Sequence, residues 1–276
     1  YGKISKEKNL VNSTRFRIRL FKMYSRLLLQ ERDYQSLEKF LVESNNEFGK
    51  DKLFNRSNHN EKLTLLTYLS NCLYKTKKYK QSLKYSEELL NGMKEYDCFL
   101  YDKYLFYYYN ILVLNYAKKD KKKALDYLNK ASKSEVIKKL PSYNAFIYLN
   151  RSLIYYYEDN YKESQKNIAR LIMQEDFLLL DKSFQLKILV TELMIRMLVS
   201  NKNLNDKITT INKNYKSLLL EENCIREKKM IDLIFKKISD EDVVDSKENL
   251  LSSMSDSDSE DIDIISYNIW IKENIK

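Results

Sequence analysis

Few residues in this chain have the types and spacing that catalysis or metal binding requires. The sequence holds one histidine, His59, and three widely separated cysteines, Cys72, Cys98 and Cys224. A single imidazole with no neighbouring thiol cannot complete a common zinc site or a nucleophile and base pair. Only three glycines occur, so no glycine-rich loop can hold a phosphate group. We therefore expect no catalytic residue, no metal ion and no cofactor, and we expect that the protein is not an enzyme.

The polar residues with the most regular spacing are three asparagines. Asn71, Asn110 and Asn150 recur at intervals of 39 and 40 residues. Because an amide side chain donates and accepts hydrogen bonds at once, such a row can bind the backbone of an extended peptide. The alternative is hydrogen bonding within the protein itself, since the chain is rich in asparagine. We predict that these three residues form a peptide-binding row.

The elements that would position this row repeat along the chain. A long helix with apolar residues at helical spacing is followed by a short polar break and a second helix. The residues predicted to begin the second helices are spaced by 45, 42, 40 and 43 residues, and they are Tyr34, Tyr79, Lys121, Tyr161 and Leu204. One helical hairpin cannot bury its apolar face alone, so neighbouring hairpins must stack. With three glycines and one proline to break helices, the sequence predicts an all-α fold, an α-solenoid of about five antiparallel hairpins.

The predicted boundaries follow from the same pattern. The fourth hairpin begins after Pro141, and residues 45–60 are expected to form a loop. The other four hairpins are predicted to pair residues 15–31 with 34–44, 61–76 with 79–94, 98–118 with 121–137, and 180–200 with 204–219. A capping helix is predicted at 221–238.

Small residues lie three positions after the middle three breaks, at Ser82, Ala124 and Ser164. A tyrosine before the second helix, this small residue, and large apolar residues that close the helix together resemble the tetratricopeptide repeat over about residues 16–219. The chain departs from that family in lacking the usual glycine of the first helix and in its longer period, since the family uses about 34 residues. The resemblance implies a curved solenoid whose first helices line a concave face that binds peptides or proteins, where asparagines commonly contact the peptide backbone.

Charge divides the chain. Residues 239–276 hold 11 acidic and 3 basic side chains, a net charge of −8, so the whole-chain charge of +10 leaves +18 on residues 1–238. We accordingly divide the chain into a polar leader (1–14), a helical repeat domain (15–238), an acidic low-complexity linker (239–263) and an apolar docking segment (264–276). An acidic linker of this composition does not form a packed core by itself.

The end of the chain is predicted to dock on the repeat domain or on another molecule. Its apolar docking residues are Ile265, Tyr267, Ile269, Trp270 and Ile271. The acidic side chains before it are expected to lie against lysine-rich helix surface, and they are Asp256, Asp258, Glu260 and Asp261.

The sequence thus predicts a non-enzymatic scaffold that binds a protein or peptide as part of a larger assembly. One alternative is a peptide-sensing regulatory module. Another is a basic nucleic-acid-binding helical repeat, in which the tyrosines of 107–109 and 155–157 stack on bases beside lysines. The sequence has no run of 18 uncharged apolar residues, so no membrane span is expected. Three scattered cysteines are typical of a reducing compartment, which favours the cytoplasm. The oligomeric state stays open.

Overall fold

The structure is a computed structural model that describes residues 13–200, 203–252 and 263–275. Within these ranges the chain forms 14 α-helices and no strand. The first six helices are α1 (Thr14–Gln30), α2 (Tyr34–Lys50), α3 (His59–Lys75), α4 (Tyr79–Met93), α5 (Tyr101–Ala117) and α6 (Lys121–Ser132). They are followed by α7 (Glu135–Lys138), α8 (Asn150–Tyr156), α9 (Tyr161–Ile172), α10 (Lys182–Val199), α11 (Leu204–Asn214), α12 (Ile225–Ile238), α13 (Val244–Ser252) and α14 (Tyr267–Asn274).

The helices form two compact units. The first unit ends at Tyr127 and the second begins at Leu128, so the boundary falls within α6. In the first unit α1 packs on α2, α2 on α3, α3 on α4 and α4 on α5, and α3 also packs on α5. In the second unit α9 packs on α8 and α10, while α10 also packs on α11 and α12, and α12 on α13. Consecutive helices that pack on their neighbours are compatible with a helical repeat.

All five residues predicted to begin a second helix do begin one, at the first residues of α2, α4, α6, α9 and α11. Three of the turns before them share one backbone geometry. Arg32, Lys77 and Asp159 each lie two residues before the second helix with positive φ angles of 56°, 62° and 56°. The next amide in each turn donates to the carbonyl five residues earlier at 2.8–3.0 Å. This is a helix-ending turn that usually has glycine at the left-handed position.

Two hairpins each bring together two serines that are 12 positions apart. Ser82 Oγ donates to the Ser70 carbonyl at 2.7 Å, and Ser152 Oγ donates to the Ser164 carbonyl at 2.9 Å. All four serines are buried, which lets the two helices of a hairpin approach closely. In the last hairpin Lys207 replaces the small residue, and its ammonium lies 3.0 Å from the carboxylate of the buried Glu192.

Two segments differ from the sequence-based expectation. Within 45–60, helix α2 continues to Lys50, because Phe48 extends its apolar stripe and packs edge-on against Phe21 at 6.2 Å between ring centroids. Within 239–263, helix α13 forms, and its Leu250 is fully buried among the apolar residues of the second unit. The residues of the predicted leader up to position 12, and the acidic residues Asp256 to Asp261, lie outside the described residues.

Candidate functional site

The structure places the three predicted asparagines on first helices, half-buried. Asn71 Nδ2 donates to the Thr67 carbonyl of its own helix at 2.9 Å, and Asn150 Nδ2 donates to the Phe146 carbonyl at 2.8 Å. Among the described residues Asn110 makes no hydrogen bond through its side chain. Asn71 and Asn110 belong to the first unit and Asn150 to the second. The first and third therefore offer mainly their oxygen atoms to a ligand.

The first unit also contains a cleft of about 500 Å³ between hairpins one and two. It opens beside α2, α3 and α4, and it is lined by Asn45, Phe48, Gly49, Lys52, Phe54, Lys62, Leu66, Glu88, Asn91, Gly92 and Glu95. This volume lies within the range of about 300–1,000 Å³ that is usual for ligand pockets.

Apolar side chains form one part of the cleft lining. Phe48 and Phe54 pack edge to face with 5.5 Å between ring centroids, and Leu66 is almost fully buried beside them. Phe48 is held from the other side by Phe21 and by the Arg17 guanidinium, which lies 5.2 Å from the ring centroid. The core of the first hairpin therefore holds this apolar lining in place before a ligand arrives.

The rim of the cleft carries amides and charges of both signs. Lys62 Nζ lies 2.6 Å from Glu95 Oε1, which closes one side, while Lys52 and Asn91 are exposed. Glu88 is half-buried and lies 3.9 Å from the ammonium of Lys84. Amide groups next to an apolar lining can bind a peptide backbone whose side chain enters the cleft. The paired charges can exchange partners with a charged ligand.

The single histidine lies behind this rim. His59 is buried, and its Nε2 donates to the Gly92 carbonyl at 2.9 Å, so that Nε2 carries the hydrogen. Burial lowers the pKa of His59, although the Gly92 hydrogen bond and Glu95 act against the shift. Gly92 allows α4 to approach α3, because a Cβ at this position would lie 2.8 Å from a methyl group of Leu63. His59 therefore holds the end of α4, which carries three residues of the cleft lining.

The predicted docking residues of the chain end lie in the core of the second unit. Tyr267, Trp270 and Ile271 are fully buried there, and Ile265 is almost fully buried. Ile269 is instead 48% exposed, because it lies on the outer face of α14. Arg226 of α12 binds Asp263 at 2.9 Å, and the Asp263 carboxylate also accepts from the Tyr267 amide at 3.1 Å.

Many buried polar atoms around this segment have no hydrogen-bond partner among the described residues. They include both carboxylate oxygens of Glu227, Asp263 Oδ1, Arg226 Nε, the Tyr267 hydroxyl and Trp270 Nε1. Each such atom costs about 1–3 kcal/mol in lost hydration. Burial raises the pKa of Asp263 to about 6, against the opposing effect of Arg226. Apolar burial, rather than polar bonding, must therefore hold the segment.

Comparison of this chain with protein-family models, curated proteins and solved structures finds no match. No helix in the described part of the chain is long and apolar enough to cross a membrane. Nor does any group of three or more His, Cys, Asp or Glu residues within the described ranges have the arrangement of a metal site.

The sequence did not indicate the cleft. Its residues come from three separate stretches, 45–54, 62–66 and 88–95, and Lys62 and Glu95 are 33 positions apart. Only the period of the hairpins gave a usable signal, because residues at equivalent positions of successive hairpins become neighbours.

Proposed function

We propose that this protein is a non-enzymatic module that binds a peptide or an exposed segment of a partner protein. The cleft between hairpins one and two carries the proposal, since it combines an apolar lining with amides and opposite charges on its rim. The resemblance of the hairpins to tetratricopeptide repeats supports the same class of function. The compartment we propose is the cytoplasm.

A segment with one apolar side chain fits the cleft best. The side chain contacts Phe48, Phe54 and Leu66, while Asn45 and Asn91 bind the flanking backbone. The asparagines Asn71 and Asn110 of the first unit are a second proposed binding surface, with their oxygen atoms accepting from peptide amides, and Asn150 of the second unit is proposed to bind a peptide in the same way. Helix α3 contributes to both surfaces but through different residues, Lys62 and Leu66 to the cleft and Asn71 to the second surface, so variants can separate them.

Panning a phage library of random heptapeptides against the full chain tests the proposal. Enriched peptides are synthesised with a fluorophore, and their affinity is measured by anisotropy. We expect Asn91→Lys with Lys52→Glu to weaken binding at least about tenfold, which is about 1.4 kcal/mol. The comparison variant, Asn71→Ala with Asn110→Ala, should leave the peptide affinity unchanged if the cleft is the binding site.

Three other outcomes would each revise or contradict the proposal. If only the asparagine variant loses binding, the peptide binds at the asparagines of the first helices and not in the cleft. If both variants still bind the peptide, neither surface is the binding site. The absence of any peptide enriched over an unrelated helical protein contradicts the proposed function itself.

A further inference from the structure

The first unit carries a dense group of lysines at the turns inside hairpins two and three. Residues 75–80 and 118–123 together hold nine lysines and one carboxylate, that of Asp120. We call this surface the lysine edge; its lysines are Lys75, Lys77, Lys78, Lys80, Lys118, Lys119, Lys121, Lys122 and Lys123. All are exposed except Lys75 and Lys121, which are half-buried.

A contact between the two turns shows that they lie side by side. Lys119 Nζ lies 4.3 Å from the centroid of the Tyr79 ring, and Tyr79 is the first residue of α4. Helix α5 also packs on both α3 and α4. The lysines of the two turns therefore form one continuous surface rather than two separate clusters.

The two turns themselves supply nine ammonium groups and only one carboxylate. Lys78 binds Glu38 of α2, and Lys123 lies 3.3 Å from Asp120. Like charges closer than about 8 Å repel one another at physiological salt. An anion that spans both turns would remove this repulsion and would gain attraction from several ammonium groups at once.

We propose that the lysine edge binds the phosphate backbone of nucleic acid without sequence preference. An acidic protein segment is the less favoured occupant, because exposed ion pairs contribute only about 0–1 kcal/mol each and the exposed side chains of these turns are lysines without apolar anchors. Nucleic acid has a higher charge density than an acidic protein segment and therefore carries condensed counterions. Each phosphate that a lysine neutralises releases such counterions, which favours binding.

Aromatic rings beneath the lysines shape this edge. Tyr116 stacks on Tyr127 with 5.7 Å between centroids, and Lys123 Nζ lies 5.3 Å from the centroid of the Tyr116 ring. These rings support the lysine stems and are half-buried. The surface therefore presents ammonium groups rather than exposed rings to a ligand, and these charges are what phosphate binding requires. The tyrosine run at 107–109 is less suited to stacking on bases, because Tyr108 and Tyr109 are half-buried.

The test is the affinity of the full chain for a fluorescein-labelled 24-mer of thymidine and for a 24-base-pair duplex, measured over a series of salt concentrations. The variant replaces Lys77, Lys80, Lys119 and Lys122 with Gln. The matched control replaces four exposed lysines of the second unit with Gln, and they are Lys162, Lys213, Lys216 and Lys228. Both variants change the net charge equally, and circular dichroism verifies that both keep their helices.

We expect micromolar binding at low salt that weakens as salt rises. Four lost contacts to a single strand should reduce the slope of log affinity against log salt by about 3, at about 0.7 per contact. The control should keep most of the wild-type slope. Absence of nucleic-acid binding, equal losses in both variants, or equally tight binding of a labelled poly-glutamate peptide would each overturn the proposal.

Discussion

Ser82 Oγ donates a 2.7 Å hydrogen bond to the carbonyl oxygen of Ser70, which joins the two helices of hairpin two. Asn115 of the next hairpin also donates to Ser82 Oγ at 3.0 Å. One serine thus joins two helices of its own hairpin to the first helix of the following one. In the second unit the equivalent pair is bonded in the opposite direction, since Ser152 Oγ of the first helix donates to the Ser164 carbonyl of the second helix at 2.9 Å.

Replacing this serine with a larger side chain should therefore force the helices apart. We expect Ser82→Leu to lower the free energy of unfolding by about 1–3 kcal/mol, since Ser82 is fully buried and there is no space for the added atoms. The exposed neighbour provides the control, because Gln81→Leu should change stability by less than about 0.5 kcal/mol. Urea titration monitored by circular dichroism measures both. Equal effects of the two changes would contradict the close approach.

The left-handed turn at Arg32 predicts an unusual gain in stability from glycine. Arg32 has a φ of 56° and is exposed, so Arg32→Gly should relieve backbone strain. After the entropy that glycine adds to the unfolded chain, the net gain should be about 0.5–1 kcal/mol. Arg26→Gly, at an exposed position inside α1, should instead cost about 1 kcal/mol. Thermal unfolding of both variants shows whether Arg32→Gly raises stability while Arg26→Gly lowers it. A loss at Arg32 would show that its side chain, rather than its backbone, matters.

Burial of Trp270 predicts that the end of the chain stabilises the second unit. Trp270→Ala should lower the free energy of unfolding by about 3–5 kcal/mol, because the ring is fully buried. Ile269 lies next to it but is 48% exposed, so Ile269→Ala should cost far less. Denaturant unfolding gives the magnitudes, and limited proteolysis shows whether the segment is released. If the wild type is cleaved as fast as Trp270→Ala, the segment does not dock on its own chain in solution.

The buried carboxyl of Asp263 predicts a pH dependence with a definite sign. Its pKa is about 6 in the folded protein against 3.8 in the unfolded chain, because burial disfavours the charged form. Protonation therefore favours folding, so this contribution is complete below pH 3.8 and is lost as the pH rises through about 6. The difference corresponds to about 3 kcal/mol, at about 1.4 kcal/mol for each pKa unit. The groups facing Asp263 are Arg226, Glu227 and Lys187.

Unfolding of the wild type and of Asp263→Asn should be compared between pH 5 and pH 7.5. We expect the wild type to lose more stability than the variant over this interval. Asp232 also has a raised pKa because of burial, and its contribution cancels in the comparison. Parallel pH profiles would show that Asp263 does not titrate in this range.

Much of the helical architecture followed from the sequence because it depends on local periodicity. Tyr34, Tyr79, Lys121, Tyr161 and Leu204 each begin a helix as predicted, since polar breaks between apolar-periodic stretches mark helix ends. The end of α2 did not follow, because Phe48 stands in a polar stretch and its contacts with Phe21, Phe54 and Arg17 form only in the tertiary structure. Helix α13 was missed for a similar reason, since Leu250 is its one buried residue and stands in a mainly polar stretch.

The sequence by itself determined the helical class, the positions of the turns, and the contrast between a basic body and an acidic C-terminal region. These properties depend on residue type and spacing along one helix. The tertiary structure alone decided which side chains meet: the Lys62 and Glu95 pair at the cleft, the Tyr79 and Lys119 contact that joins two basic turns, and the bond from Arg226 to Asp263. Contacts over 30 to 40 residues depend on the angle and distance at which helices pack. That geometry is set by the volumes of many buried side chains together, as the Ser70 and Ser82 contact illustrates.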